Sequence, residues 1–163
     1  MLNVMKPAAL LLCVCAAPAL GQQLLDRVVA HVDGTAITLT DLNAAIGLGV
    51  VEAPAGSDSK VALERLIERQ LVLSEVARFA PPEPPAAAVD REVAAMTERT
   101  GGRLEAVMDT TGVDETRIRE MARDTLRIQA YATQRFGPAG LKSPEIAQWV
   151  RDLRARATVT VRP

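Results

Sequence analysis

The chain has 163 residues, 48% hydrophobic but only 2% aromatic, and its 19 basic and 20 acidic residues leave a formal net charge of −1. That balance excludes the strongly basic surface by which proteins hold nucleic acid. A core drawn from Leu, Val, Ile and Ala favours packed helices over an aromatic-lined ligand pocket.

The first residues, MLNVMKPAALLLCVCAAPALG, carry one positive charge at Lys6, an apolar run from Pro7 to Leu20, and small residues at Ala19 and Gly21. This is the layout of a signal peptide spanning residues 1–21, with cleavage expected after Gly21. The apolar run is shorter than the roughly 20 residues a spanning helix needs, and no other segment comes closer, so no membrane span is expected. Cys13 follows Leu12 and Cys15 follows Val14, where a lipidated cysteine requires a small residue before it. Both cysteines lie in the removed segment, which excludes a disulfide, thiol chemistry or a cysteine–metal site in the mature chain. Removing Lys6 widens the acidic excess by one. Residues 22–163, roughly 140 in all, suit a single domain able to bury about two thirds of its chain surface.

Val28, Val29, Ala30 and Val32 are strand-favouring or small, Asp33-Gly34 is a pair that a type I′ turn prefers, and Thr35 to Thr38 resumes the β pattern. A β-hairpin is predicted there. Thr38, followed three residues later by Asp41, approximates a capping box, so a helix should begin near Leu39. Glu52 to Ser59 holds Pro, Gly and Ser and reads as a loop. From Lys60 to Phe79 apolar residues occupy more than one stripe, which predicts a central helix enclosed on several sides. Prolines from Pro81 to Pro85 end it.

Val89, Val93 and Met96 mark one face of a third helix, broken by Thr100-Gly101-Gly102. Leu104, Val107 and Met108 fit a short fourth helix ending at Thr111-Gly112. Asp114 is a good N-cap for a second long helix, in which Ile118, Met121, Ala122, Thr125, Gln129, Ala132 and Phe136 keep three-and-four spacing up to Gly137-Pro138. Ser143-Pro144-Glu145 reads as the start of a last helix running to about Ala155. Ala157 to Val161 is β-favouring and needs an edge, and the N-terminal hairpin offers it. The fold class predicted is therefore mainly α with a small antiparallel β-sheet (α+β), the hairpin pairing with the C-terminal strand and the Trp149 helix covering the sheet.

The apolar strand, Asp-Gly turn, second strand and step into a helix at Thr40-Asp41-Leu42, together with IAQWVRDLRARATVTVRP from Ile146, resemble the SurA family of periplasmic chaperones, specifically its N-terminal domain with the closing helix and strand. Full-length members usually carry parvulin-type prolyl isomerase domains between those parts. Here only Gly137 to Lys142 separates them. The resemblance implies an ATP-independent holdase for unfolded outer-membrane or secreted chains, without isomerase activity and not an enzyme. No cofactor is implied, and no nucleotide loop of the type GxxxxGK[ST] occurs. Extended clients are also able to add to the edge of the hairpin sheet. The rival reading is a non-catalytic single-partner binding or scaffold module of the cell envelope.

Met96, Met108 and Met121 are the candidate client-binding residues, because unbranched, polarizable side chains can line an adaptable groove, although their helical spacing suits core packing better. His31 has neither a second histidine nor a nucleophilic serine beside it and reads as a structural strand residue. Asp33 and Asp41 have local tasks in turn and cap, which counts against a catalytic carboxylate pair. Arg119, Arg123 and Arg127 form a basic line that Glu115, Glu120 and Asp124 partly neutralise, which reads as a salt-bridged solvated face. Trp149 reads as the anchor of the last helix on the sheet.

Overall fold

The computed structural model describes residues 26–53 and 59–162. The signal-peptide segment, residues 1–21, and the middle of the predicted Glu52–Ser59 loop lie outside the described residues.

Strands β1 (Val28–Val32) and β2 (Thr35–Thr38) form the expected hairpin. Both turn residues take positive φ, 49° at Asp33 and 85° at Gly34, as a type I′ turn demands and as Asp-Gly tolerates. Thr38 then caps α1 (Leu39–Gly47): its hydroxyl accepts from the Asp41 N–H at 3.1 Å while the Asp41 carboxylate accepts from the Thr38 N–H at 3.2 Å. The reciprocal pair satisfies two donors that a helix start leaves orphaned.

Helix α2 (Ser59–Phe79) is followed by the proline run, α3 (Ala86–Arg99), α4 (Leu104–Thr111) and α5 (Glu115–Phe136). Asp114 caps α5, its carboxylate accepting from the Arg117 N–H at 2.8 Å. Gly47 lets α1 approach α4 closely, because a Cβ there would stand 2.9 Å from Val107 Cγ1. A 3₁₀ segment, Gly137–Lys142, leads to α6 (Ile146–Arg156) and the short strand β3 (Val159–Val161). β3 runs antiparallel to β1, giving the sheet order β2-β1-β3 and bringing the two ends of the described chain together. No helix among the described residues is long and apolar enough to cross a membrane.

Two apolar cores stand side by side. The first joins Val29, Val32 and Ile37 of the sheet to Ile67, Leu71 and Val76 of α2, Ile128 and Tyr131 of α5, and Trp149 and Leu153 of α6. The second joins Leu48 and Ala44 to Val89 and Met96 of α3 and Ile118, Met121 and Ala122 of α5. A smaller cluster of Leu42, Ala45, Val51 and Ala62 fills the space between α1 and the start of α2. Helix α2 is enclosed as its pattern required, but the element shared by both main cores is α5.

Four local readings need correction. Gln129 is exposed, and the buried positions on α5 after Ala122 are Ile128, Tyr131 and Ala132, so the stripe follows a seven-residue step from Met121 rather than passing through Gln129. Helix α6 begins two residues later than Ser143-Pro144-Glu145 implied. The Ser143 hydroxyl donates to the Glu145 carboxylate instead of capping the helix, and Glu145 occupies the cap position with no side-chain cap bond. Strand β3 starts at Val159, because Thr158 is held by the turn: its N–H donates to the Asp33 carboxylate at 2.8 Å, and its carbonyl accepts from the Asp33 N–H at 2.9 Å. Trp149 belongs to the core under the sheet, but its ring neighbours are Tyr131 and Phe136 of α5, so the last helix is anchored on α5 as much as on the strands.

Candidate functional site

The methionine groove does not exist in this fold. Met96 is 0% exposed and Met121 5%, both inside the second core, and Met108 is half-buried against the same cluster. Flexible thioethers here fill the irregular gap between α3, α4 and α5, which is the commoner use of methionine. Asp33 and Asp41 are not brought together as a carboxylate pair. Asp33 holds Thr158, and Asp41 serves the cap and accepts from the Arg117 guanidinium at 2.8 Å and 3.0 Å, tying α1 to α5. His31 lies mid-strand, opposite Ala36 on one side and Thr160 on the other. Among the described residues no group of three or more His, Cys, Asp or Glu side chains is placed to hold a metal ion.

The basic line on α5 is salt-bridged, but mainly to other elements than its own helix. Arg119 pairs with Asp90 of α3 and reaches Glu115 at 3.8 Å. Arg123 and Arg127 both reach Glu83 of the proline run, at 4.0 Å and 3.8 Å. Glu120 pairs with Arg117 instead. The Arg119 and Arg123 contacts face solvent, and such exposed pairs contribute about 0–1 kcal/mol each.

One accessible apolar surface lies between α2 and α6. Between α2, α6 and the residues after α1 runs a cavity of about 280 Å³, lined by Val50, Val72, Leu141, Ile146, Trp149 and Val150 and rimmed by Arg65, Glu68 and Arg69. It shares Glu68, Leu141, Ile146 and Val150 with a wider cleft of about 810 Å³ along α6, whose edge carries Arg151 and Arg154. In the other direction it shares Val50 and Arg69 with a pocket of about 140 Å³ beside β2. The three together make one groove with an apolar floor and charged rims. Leu141 is its most exposed large apolar side chain, at 46%. It was legible only as an apolar residue stranded in GPAGLK, a segment with no helical face to bury it.

The chain's one Trp, one Tyr and two Phe gather at one corner. Phe79, 59% exposed, stands 5.3 Å from Tyr131, which stands 5.9 Å from Trp149, which meets Phe136 edge-on at 5.3 Å. The Arg135 guanidinium lies 5.5 Å from both the Phe136 and Trp149 rings, a cation–π arrangement. Three helix faces far apart in sequence build this corner.

The β2 end of the groove is charged. Arg69 donates through Nη2 to the Met121 carbonyl at 3.1 Å and to Thr125 Oγ1 at 3.0 Å, and burial lowers its pKa despite the attraction of nearby Asp124. Burial raises the pKa of the Asp124 carboxyl from its ordinary value, against the pull of Arg69, Arg117 and Arg127. A carboxyl that binds its proton more tightly when folded contributes stability below its unfolded pKa and loses it as pH rises through the folded one. Asp124→Asn is therefore expected to raise Tm at neutral pH, a gain that shrinks as pH falls toward the carboxylate range. Thermal scans of both proteins from neutral to acid pH check this, and a gain that grows on acidification would contradict it.

No protein-family model matches the chain, and no curated protein matches it.

Proposed function

We propose that the protein is an ATP-independent periplasmic holdase that keeps unfolded outer-membrane or secreted chains from aggregating and does no prolyl isomerisation. The observation that carries this reading is the groove across α2, with an apolar floor of Val72, Leu141, Ile146 and Val150 and charged rims. An apolar floor takes any hydrophobic client segment, because burial of apolar surface is non-directional. Charged rims keep the empty groove soluble. The resemblance of the hairpin and capped helix start, and of the closing helix and strand, to SurA-family chaperones supports the same reading, as does the signal-peptide layout of residues 1–21. Release without a nucleotide requires modest affinity, which suits a shallow, open groove.

The test is light scattering of a urea-unfolded outer-membrane β-barrel protein diluted into buffer with a stoichiometric amount of the pure protein and no nucleotide. Suppression is expected. Leu141→Asp combined with Val150→Asp is expected to weaken it about tenfold or more, since each removes an apolar contact of about 1.5 kcal/mol and leaves a charge on the groove floor. A folded sample with no suppression would end the holdase reading in favour of a single-partner module.

A further inference from the structure

At the β2 end of the groove, two charged side chains stand without full partners. Arg69 spends only Nη2 on hydrogen bonds, and among the described residues its Nε and Nη1 meet no acceptor and it forms no ion pair. Asp124, beside it, accepts no hydrogen bond among the described residues. Both line the 140 Å³ pocket. The only polar side-chain atoms sealed from solvent without a hydrogen-bond partner, among the described residues, are Arg127 Nε and Trp149 Nε1. Arg69 and Asp124 are half-buried rather than sealed, and both line the pocket.

The same pocket is bordered by Thr35, Ala36 and Ile37 of β2, a strand paired on one side only. In a two-residue hairpin the residues flanking the turn, here Val32 and Thr35, face each other with their hydrogen bonds directed inward. The next residue, Ala36, consequently turns its N–H and C=O toward the open side.

The charges decide what fits. A free carboxylate approaching Arg69 would meet Asp124 and Asp41 in the same pocket, and a cation approaching Asp124 would meet Arg69 and Arg117. A peptide unit carries one donor and one acceptor and no net charge, which suits a guanidinium with donors to spare beside a carboxyl that accepts no hydrogen bond among the described residues. We propose that this pocket is a main-chain binding site: an extended polypeptide segment pairs with Ala36 as a fourth strand and continues past β2, where Arg69 donates to one of its carbonyls and Asp124 accepts from one of its N–H groups. This rests on the client-holding reading and adds to it a sequence-tolerant grip on extended backbone, separate from the apolar floor.

The probe is a fluorescein-labelled peptide of alternating threonine and valine, about ten residues long, enough for one strand, and its copies methylated on alternate backbone nitrogens in either register. Fluorescence anisotropy is expected to show binding of the parent and about tenfold or greater weakening by methylation in one register, the loss of hydrogen bonds worth about 1.4 kcal/mol. Arg69→Met is expected to weaken the parent peptide about tenfold. Because Arg69 also holds Met121 and Thr125, Asp124→Leu, which removes no internal hydrogen bond, is the second variant and is expected to do the same, with Trp149 fluorescence reporting an intact fold. Equal binding of parent and both methylated peptides, or unchanged binding by Asp124→Leu, would overturn the main-chain site. Concentration-dependent dimers that block the peptide would overturn it too, by making a second copy the occupant. If the site fails while the unfolded barrel protein is still kept in solution, the holdase reading stands. If that suppression is also absent, the reading beneath the site has failed.

Discussion

Trp149→Ala is expected to destabilise the protein by about 3–5 kcal/mol, the range for truncating a large aromatic side chain in a core. Trp149 is 6% exposed and touches Tyr131 and Phe136 of α5 while sharing the first core with Val29, Val32 and Ile37 of the sheet. Its loss opens a cavity at the point where α6, α5 and the sheet meet, and it leaves Arg135 without one of its two rings. A loss of this size is a large part of the 5–15 kcal/mol that holds a typical domain together. Trp149→Phe is expected to cost much less, because it keeps a ring in place and removes the indole N–H, which is buried and has no hydrogen-bond partner. Urea unfolding followed by far-ultraviolet circular dichroism measures both. Equal losses for the two variants would show that the volume of the ring, rather than its presence, sets the stability of this corner.

Deleting the residues after Ala157 is expected to remove about 2–4 kcal/mol, at a net 0.5–1.5 kcal/mol for each hydrogen bond lost. The deletion removes the ladder that pairs Ala30, His31 and Val32 with Val161, Thr160 and Val159. It also removes the reciprocal bonds between Asp33 and Thr158, and the bond from the Arg162 N–H to the Val29 carbonyl at 2.9 Å. What remains is a two-stranded hairpin, a form marginal on its own. Its β1 edge, flanked by the buried Val29 and Val32, is then open to other chains. Urea midpoints give the stability and sedimentation velocity the association. A shortened protein with an unchanged midpoint would show that α6, rather than β3, closes the sheet.

Much of the fold was legible in local signals because each rests on neighbours in sequence. Asp33-Gly34 carries its own backbone preference, Thr38 and Asp41 satisfy helix donors three residues apart, and the proline run ends α2 wherever it sits. Pairing of the terminal strand was legible for a different reason, since unpaired strand groups need an edge and the hairpin was the edge on offer.

The misreadings share a cause. Spacing alone assigns Gln129 and Ile128 almost equally well to the face of α5, and only the position of α6 and the sheet decides that Ile128 is covered. Ser143 looked like a helix cap because its residue type suits one, but the backbone leaving the 3₁₀ segment delivers it two residues early, where Glu145 takes its hydroxyl. The methionines showed helical spacing without showing which neighbours would close over them. The pocket at β2 was invisible for the same reason. Arg69 and Asp124 are far apart in the chain and belong to two helices, and nothing local marks either as having hydrogen-bonding capacity to spare.

The sequence alone determined the order of the helices and strands, the hairpin turn, the caps at Thr38 and Asp114, and the shortage of aromatic residues, because these follow from composition and from backbone preference and hydrogen bonding over a few residues. Which apolar side chains remain open, which charges are left unpaired, and the gathering of Phe79, Tyr131, Phe136 and Trp149 at one corner were decided only when α2, α5 and α6 packed. Burial and desolvation depend on what stands on every side of a group, and those neighbours arrive from distant parts of the chain.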